Sequence, residues 1–103
     1  MPIIINKSKD DNSITLKIQG SFNIGFYTEF YNAIKDILPT RTRYIIDMTE
    51  TDGIDSTGFG MLLTLRERAG GDNSDISIII VNQSLFKLFQ TYNFNTLFNV
   101  KLI

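Results

Sequence analysis

The chain has 103 residues and a mass of 11.7 kDa, the size of one domain, and its 43% hydrophobic and 20% charged content is that of a folded globular protein and not of a disordered one. Ten Lys plus Arg against eleven Asp plus Glu leave a net charge of −1, so there is no basic field to grip a nucleic-acid backbone. Cys and His are both missing from the sequence, which excludes a thiol nucleophile, a disulfide, a Cys/His zinc site and an imidazole base.

The opening Met1-Pro2-Ile3-Ile4-Ile5-Asn6 lacks the basic start and long apolar core of a signal peptide. The densest apolar run, Ile76 to Val81, is far too short to span a bilayer. A cytoplasmic location without a membrane partner is the expectation. With no repeat and no linker, residues 1–103 read as a single domain.

Ile3-Ile4-Ile5 reads as a short strand and Lys7 to Ser13 as a polar turn. Ile14, Leu16 and Ile18 then alternate with Thr15, Lys17 and Gln19, the period-two pattern of a half-buried strand. A hairpin is the simplest connection between the two. Gly20-Ser21-Phe22-Asn23 breaks the alternation. Asn23 is placed to cap a helix with Phe26, Phe30, Ile34 and Ile37 on one face and Glu29, Lys35 and Asp36 turned away, and Pro39 prevents its continuation.

Tyr44 to Met48 has the length of a central strand buried on both faces. Thr49 to Gly53 reads as a polar turn. From Thr57 to Ala69 the pattern is helical, with Phe59, Met61, Leu62, Leu63 and Leu65 apolar almost all round, Arg66 and Arg68 where the dipole favours cations, and Gly70-Gly71 as the stop. Ile76 to Val81 is a further buried strand. Asn82 to Ser84 supplies a cap for a short helix carrying Leu85, Leu88, Phe89 and Tyr92. Phe94 to Ile103 contains a last strand. The order β-β-α-β-α-β-α-β predicts an α/β fold, with a mixed, mostly parallel sheet of about four to five strands and helices packed on it.

In such sheets, sites form where strands lead into helix N-termini. Asp55-Ser56-Thr57-Gly58 is where acids, hydroxyls and glycines concentrate. A hydroxyl at a helix start is well placed to carry a phosphate. An ordinary reading makes Asp55 or Ser56 a cap and Gly58 and Gly60 packing residues. Each of those glycines lowers helix propensity by about 1 kcal/mol relative to Ala, so bare backbone is needed there, for a strand or for another protein.

Other chemistries fit less well. Asp-Ser-Thr-Gly is one residue longer than an aspartic-protease motif. Asp47, Asp52 and Asp55 could hold magnesium in a small phosphatase, but no lysine or glycine-rich phosphate loop accompanies them. Gly58-Phe59-Gly60 lacks the third glycine of a dinucleotide fingerprint, and Ser56 has no histidine or nearby lysine as base. Lys35, Arg41 and Arg43 read as a solvated basic face, and Tyr27 and Tyr31 as packing residues or an exposed partner patch.

Tyr44-Ile-Ile-Asp-Met-Thr, Gly53-Ile-Asp-Ser-Thr-Gly-Phe-Gly-Met-Leu-Leu, Ile78-Ile-Ile-Val-Asn and Phe94-Asn-Thr-Leu-Phe together resemble the STAS domain of bacterial anti-sigma factor antagonists, in its stand-alone form. The likeness runs from the early strands to Phe98, and the Asp-Ser-Thr-Gly turn is its most specific part. It implies the STAS fold and a switch in place of a catalyst, with no cofactor and no metal. By the resemblance, Ser56 is phosphorylated by a partner that is both anti-sigma factor and serine kinase, of ATPase-like kinase fold. The unmodified form binds that partner and relieves its inhibition, and a PP2C-type phosphatase resets the switch. Thr57 is the neighbouring hydroxyl. The docking surface implied comprises Asn23, Asp55, Ser56, Thr57, Gly58, Gly60 and Met61. Asn23 stands where the family often carries Asp, so no charge is available there. The same switch could act on a non-sigma output such as biofilm or motility regulation.

Overall fold

The computed structural model describes residues 3–8, 12–35 and 42–103. Asp36, Ile37, Pro39 and Arg41, to which a helix face, a helix stop and part of a basic cluster are assigned above, lie outside the described residues, as do Met1 and Pro2.

Strands β1 (Ile3–Ser8) and β2 (Ser13–Ile18) pair antiparallel in a hairpin, with Ile3 opposite Ile18 and Ser8 opposite Ser13. Asn12, immediately before β2, takes the left-handed conformation at φ 53°, which asparagine tolerates. Strands β4 (Arg43–Asp47), β6 (Asp75–Ile80) and β7 (Asn99–Leu102) then add in parallel, giving the sheet order β1-β2-β4-β6-β7. The five-strand, mostly parallel sheet is the expected one.

Two further strands are not among the expected elements. β3 (Gly20–Phe22) and β5 (Thr51–Ile54) form a separate parallel ribbon with Phe22 opposite Ile54. What read as a pattern break and a polar turn are therefore both paired backbone. Gly20, at φ 91°, makes the bend from β2 into the ribbon, and Thr51 Oγ1, buried, donates to the Ile18 carbonyl at 2.7 Å to tie the ribbon to the sheet.

The helices are α1 (Tyr27–Ile34), α2 (Ser56–Arg68) and α3 (Gln83–Thr91). Phe26 does not belong to α1 but to a 3-10 turn, Ile24–Phe26, that leads into it. Gly70 and Gly71, at φ 114° and 61°, stop α2 as the sequence suggests. Asn82 Oδ1 accepts from Leu85 N at 3.1 Å and caps α3.

Each parallel crossover steps in the same direction across the sheet, β2 to β4 to β6 to β7. Right-handed crossovers that never reverse put all their helices on one face. Phe30 and Ile34 of α1, Leu62 and Leu65 of α2, and Leu85 and Phe89 of α3 accordingly share one core with Leu16, Ile18, Tyr44, Ile46, Ile76, Ile78 and Ile80 of the sheet. β4 is thus not buried on both faces: Tyr44 and Ile46 are core, whereas Ile45 and Asp47 lie on the partly exposed opposite side with Lys17, Ser77 and Ile79.

Candidate functional site

The β3–β5 ribbon builds the site. Because Phe22 pairs with Ile54, the residues that follow, Asn23 and Asp55, leave the ribbon side by side, each at the start of a helical segment. Asn23 Oδ1 accepts from Gly25 N at 2.9 Å, capping the 3-10 turn and reaching α1 only through it. Asp55 is the N-cap of α2: its Oδ1 accepts from Gly58 N at 2.9 Å and its carbonyl from Phe59 N at 3.0 Å.

Ser56 is the first residue of α2, one earlier than the helical pattern indicates, and is exposed. Thr57, next to it, is half-buried. Gly58 is buried against β3. A Cβ there would stand 2.4 Å from the Phe22 carbonyl oxygen and 2.6 Å from Ile54 Cγ1, so only glycine lets α2 come this close to the ribbon. Gly60 is exposed, and a Cβ there would meet nothing within 4 Å. Met61 is 2% exposed and belongs to the core. Gly58 and Met61 are buried beneath the site, while Asn23, Asp55, Ser56, Thr57 and Gly60 are half-buried or exposed.

Beside Ser56 a groove of about 510 Å³ opens between α2 and α3. Phe59, Tyr92 and Phe94 line it: the Phe59 ring lies 5.4 Å from Tyr92 and 4.6 Å from Phe94, centroid to centroid, and rests on buried Phe89 at 5.2 Å. Leu63 and Leu88 form its walls, and Asp55 and Ser56 its rim. Leu63 is 40% exposed, Leu88 36% and Tyr92 58%. All three belong to the apolar positions of their helices. They line this groove, because α2 and α3 have no further layer above them.

The carboxylates proposed as a magnesium set are otherwise engaged or dispersed. Asp47 Oδ1 accepts from the Thr49 amide at 2.9 Å and the Thr49 hydroxyl at 2.7 Å, a local turn. Asp55 caps α2, and Asp52 is exposed on β5. Among the described residues no three acidic side chains gather as a metal site. Tyr31 does pack, its hydroxyl 3.2 Å from Thr64 Oγ1, while the Tyr27 ring leans against it at a tilt of 42°, 4.5 Å centroid to centroid, and is 48% exposed. Arg43, at the solvated face, pairs with Asp75 at 3.3 Å.

The family described as "Mlab, STAS domain" matches residues 5–102. The chain belongs to the STAS domain family. It is 35% identical over 100 residues to a STAS-domain containing protein of Pseudomonas aeruginosa, covering 97% of this STAS domain and 99% of that protein. Among solved structures it is similar to an anti-sigma factor antagonist from Mycobacterium paratuberculosis, with a TM-score of 0.78 and 12% identity over 96% of this chain and 83% of the other. It is also similar to the anti-sigma factor antagonist SpoIIAA in its unphosphorylated form, with a TM-score of 0.76 and 11% identity over 97% and 88%. At such identities the structures establish the shared fold, which is the STAS fold the motifs implied. Among the described residues no helix is long and apolar enough to cross a membrane.

Proposed function

We propose that this STAS domain, residues 1–103 acting as one unit in the cytoplasm, is a phosphorylation-switched binding protein. Its unphosphorylated form binds a partner that is both anti-sigma factor and serine kinase, of ATPase-like kinase fold, and relieves the inhibition that partner exerts. Phosphorylation of Ser56 blocks binding, and a PP2C-type phosphatase restores it. The observation that carries this reading is the exposed Ser56 hydroxyl at the first position of a 13-residue helix, in a fold shared with anti-sigma factor antagonists.

The physics of the position supports a local switch. A phosphate adds a charge of about −1.5 to −2. It arrives beside the exposed carboxylate of Asp55, at the positive end of the α2 dipole, so the helix tolerates it. A partner seated over Ser56 and Gly60 meets instead a bulky dianion that must be stripped of water. Binding changes while the fold does not. The dispersal of Asp47, Asp52 and Asp55 supports a role without catalysis by those residues.

Ser56→Ala should bind the kinase partner of its own host as the unmodified protein does, and Ser56→Asp should bind roughly tenfold more weakly or worse, a loss of about 1.4 kcal/mol. Equal binding by both variants, read by calorimetry, would remove the switch. Intact mass of the protein purified from its host should show a phosphate-sized shift that maps to Ser56 and disappears on phosphatase treatment.

A further inference from the structure

We propose that β1 pairs antiparallel with β1 of a second copy of the chain, across a twofold axis at Ile5, and so joins two five-stranded sheets into one. β1 stands at one end of the sheet, and among the described residues no strand lies beyond it. The backbone donors and acceptors on the outer side of such a strand are a template for another extended strand. The two ends of the sheet are not equally guarded. β7 has four residues with Lys101 among them, a short, charged edge of the kind that deters pairing. β1 has six, and its first four, Ile3-Ile4-Ile5-Asn6, carry no charge. Both faces of this stretch are open. Ile5 lies opposite Leu16 and so points toward the helix layer, yet it is 45% exposed; Ile4 lies opposite Lys17, on the uncovered side, and is 44% exposed. One added strand covers both.

The sequence of β1 suits its own copy as that strand. With the axis at Ile5, the two Ile5 side chains meet as a β-branched pair, and Ile4 stands opposite Asn6 of the copy. Lys7 falls opposite Ile3 of the copy, so no like charges are opposed. The Ile3 amide is already given to Glu29 Oε2 at 3.2 Å, which makes Ile4 to Asn6 the centre of the contact. A twofold contact of this kind closes at two copies. So short an interface buries less than about 1,200 Å², and its Kd is roughly 10–100 µM. Ser56 and the groove belong to α2 and α3, which lead to β6 and β7 and away from β1. Each copy therefore keeps its own switch site, and the dimer stands or falls apart from the switch.

The test is sedimentation equilibrium of the full chain about tenfold below and about tenfold above that Kd, where the mass should rise from the monomer toward twice its value. Ile5→Lys and Ile5→Glu each set like charges against each other across the axis, and each alone should weaken association about tenfold or more. Mixed in equal amounts, the two variants should associate again, because the axis then opposes Lys to Glu. Leu102→Lys at the far edge and Ser56→Asp should dimerise as the parent chain does. In a mixture of isotope-labelled and unlabelled parent chain, interchain NOEs should join Ile4 to Asn6, which reads the register without any substitution. A parent chain that stays monomeric at the higher concentration overturns the proposal. So does a dimer that Ile5→Lys and Ile5→Glu leave intact, or a mixture of the two that fails to associate. A dimer dispersed by Ser56→Asp overturns it as well, since the contact would then lie at the switch site.

Discussion

Gly58 and Gly60 stand two residues apart in the first turns of α2 and meet opposite surroundings. Replacing either with Ala removes a helix penalty of about 1 kcal/mol. At Gly58 the new methyl overlaps the Phe22 carbonyl, backbone that cannot swing aside, and overpacking of this kind costs about 1–3 kcal/mol. Gly58→Ala should therefore lower stability by a net of up to about 2 kcal/mol in urea denaturation. Gly60→Ala has open space above it and should raise stability by up to about 1 kcal/mol in the same measurement. The sequence shows that bare backbone is wanted in this turn. It does not separate the two roles, because the obstacle at Gly58 is β3, a strand of three residues that leaves no periodic signal. Asp55, by contrast, was legible as a cap, since capping chemistry is local. Asp55→Ala removes the bond to Gly58 N and should cost about 1 kcal/mol, again in urea.

At the scale of elements, the site depends on how the β3–β5 ribbon is held, and charge contributes to that. Glu50, one residue before β5, is bridged by Lys17 Nζ from β2 and accepts from Gln19 Nε2 at 2.9 Å, while its carbonyl accepts from Gly20 N at 3.0 Å. The hydrogen bond from Lys17 and then that from Gln19 hold the Glu50 carboxyl below its usual range; the hydrogen bond and charge of Glu50 raise Lys17 above its own. A depressed carboxyl stabilises the fold above the ordinary carboxylate range, and that contribution is lost as pH falls through the folded value. A raised lysine stabilises below its ordinary value and loses the contribution as pH rises through the folded one. The ribbon should thus be best held between those limits. Both groups are solvent-accessible, so the effect is small and salt-sensitive. The protection factors of the Gly20 and Thr51 amides, taken relative to the intrinsic exchange rate at each pH, should fall in acid, and Glu50→Gln should flatten that dependence. This ribbon is what the sequence concealed: each strand is short, contains a glycine and pairs across about thirty residues, so nothing local marks it.

The whole molecule has one core because its crossovers run one way. Period-two alternation in β2 and helical spacing in α1 and α3 made most of the main elements legible. The apolar runs of β4 and β6 misled, since an unbroken Ile stretch reads as burial on both faces, and only the direction of the crossovers decides that one face stays uncovered. The same fact left Leu63, Leu88 and Tyr92 outside the core and next to Ser56. Neighbouring isoleucines in β6 measure the asymmetry directly. Ile78 lies in the core, wholly removed from solvent, between β4 and β7. Ile78→Ala leaves a cavity and should cost about 2–5 kcal/mol. Ile79 faces the other way, over the uncovered side beside Asp47 and Lys101, and is only partly buried. Ile79→Ala removes the same three carbons where water can follow, and should cost about 1 kcal/mol or less. Chemical denaturation of the pair checks this. A comparable loss at both positions would mean that a second layer, such as another copy of the chain, covers the outer face in solution, and sedimentation of Ile79→Ala against the parent chain would then reveal it.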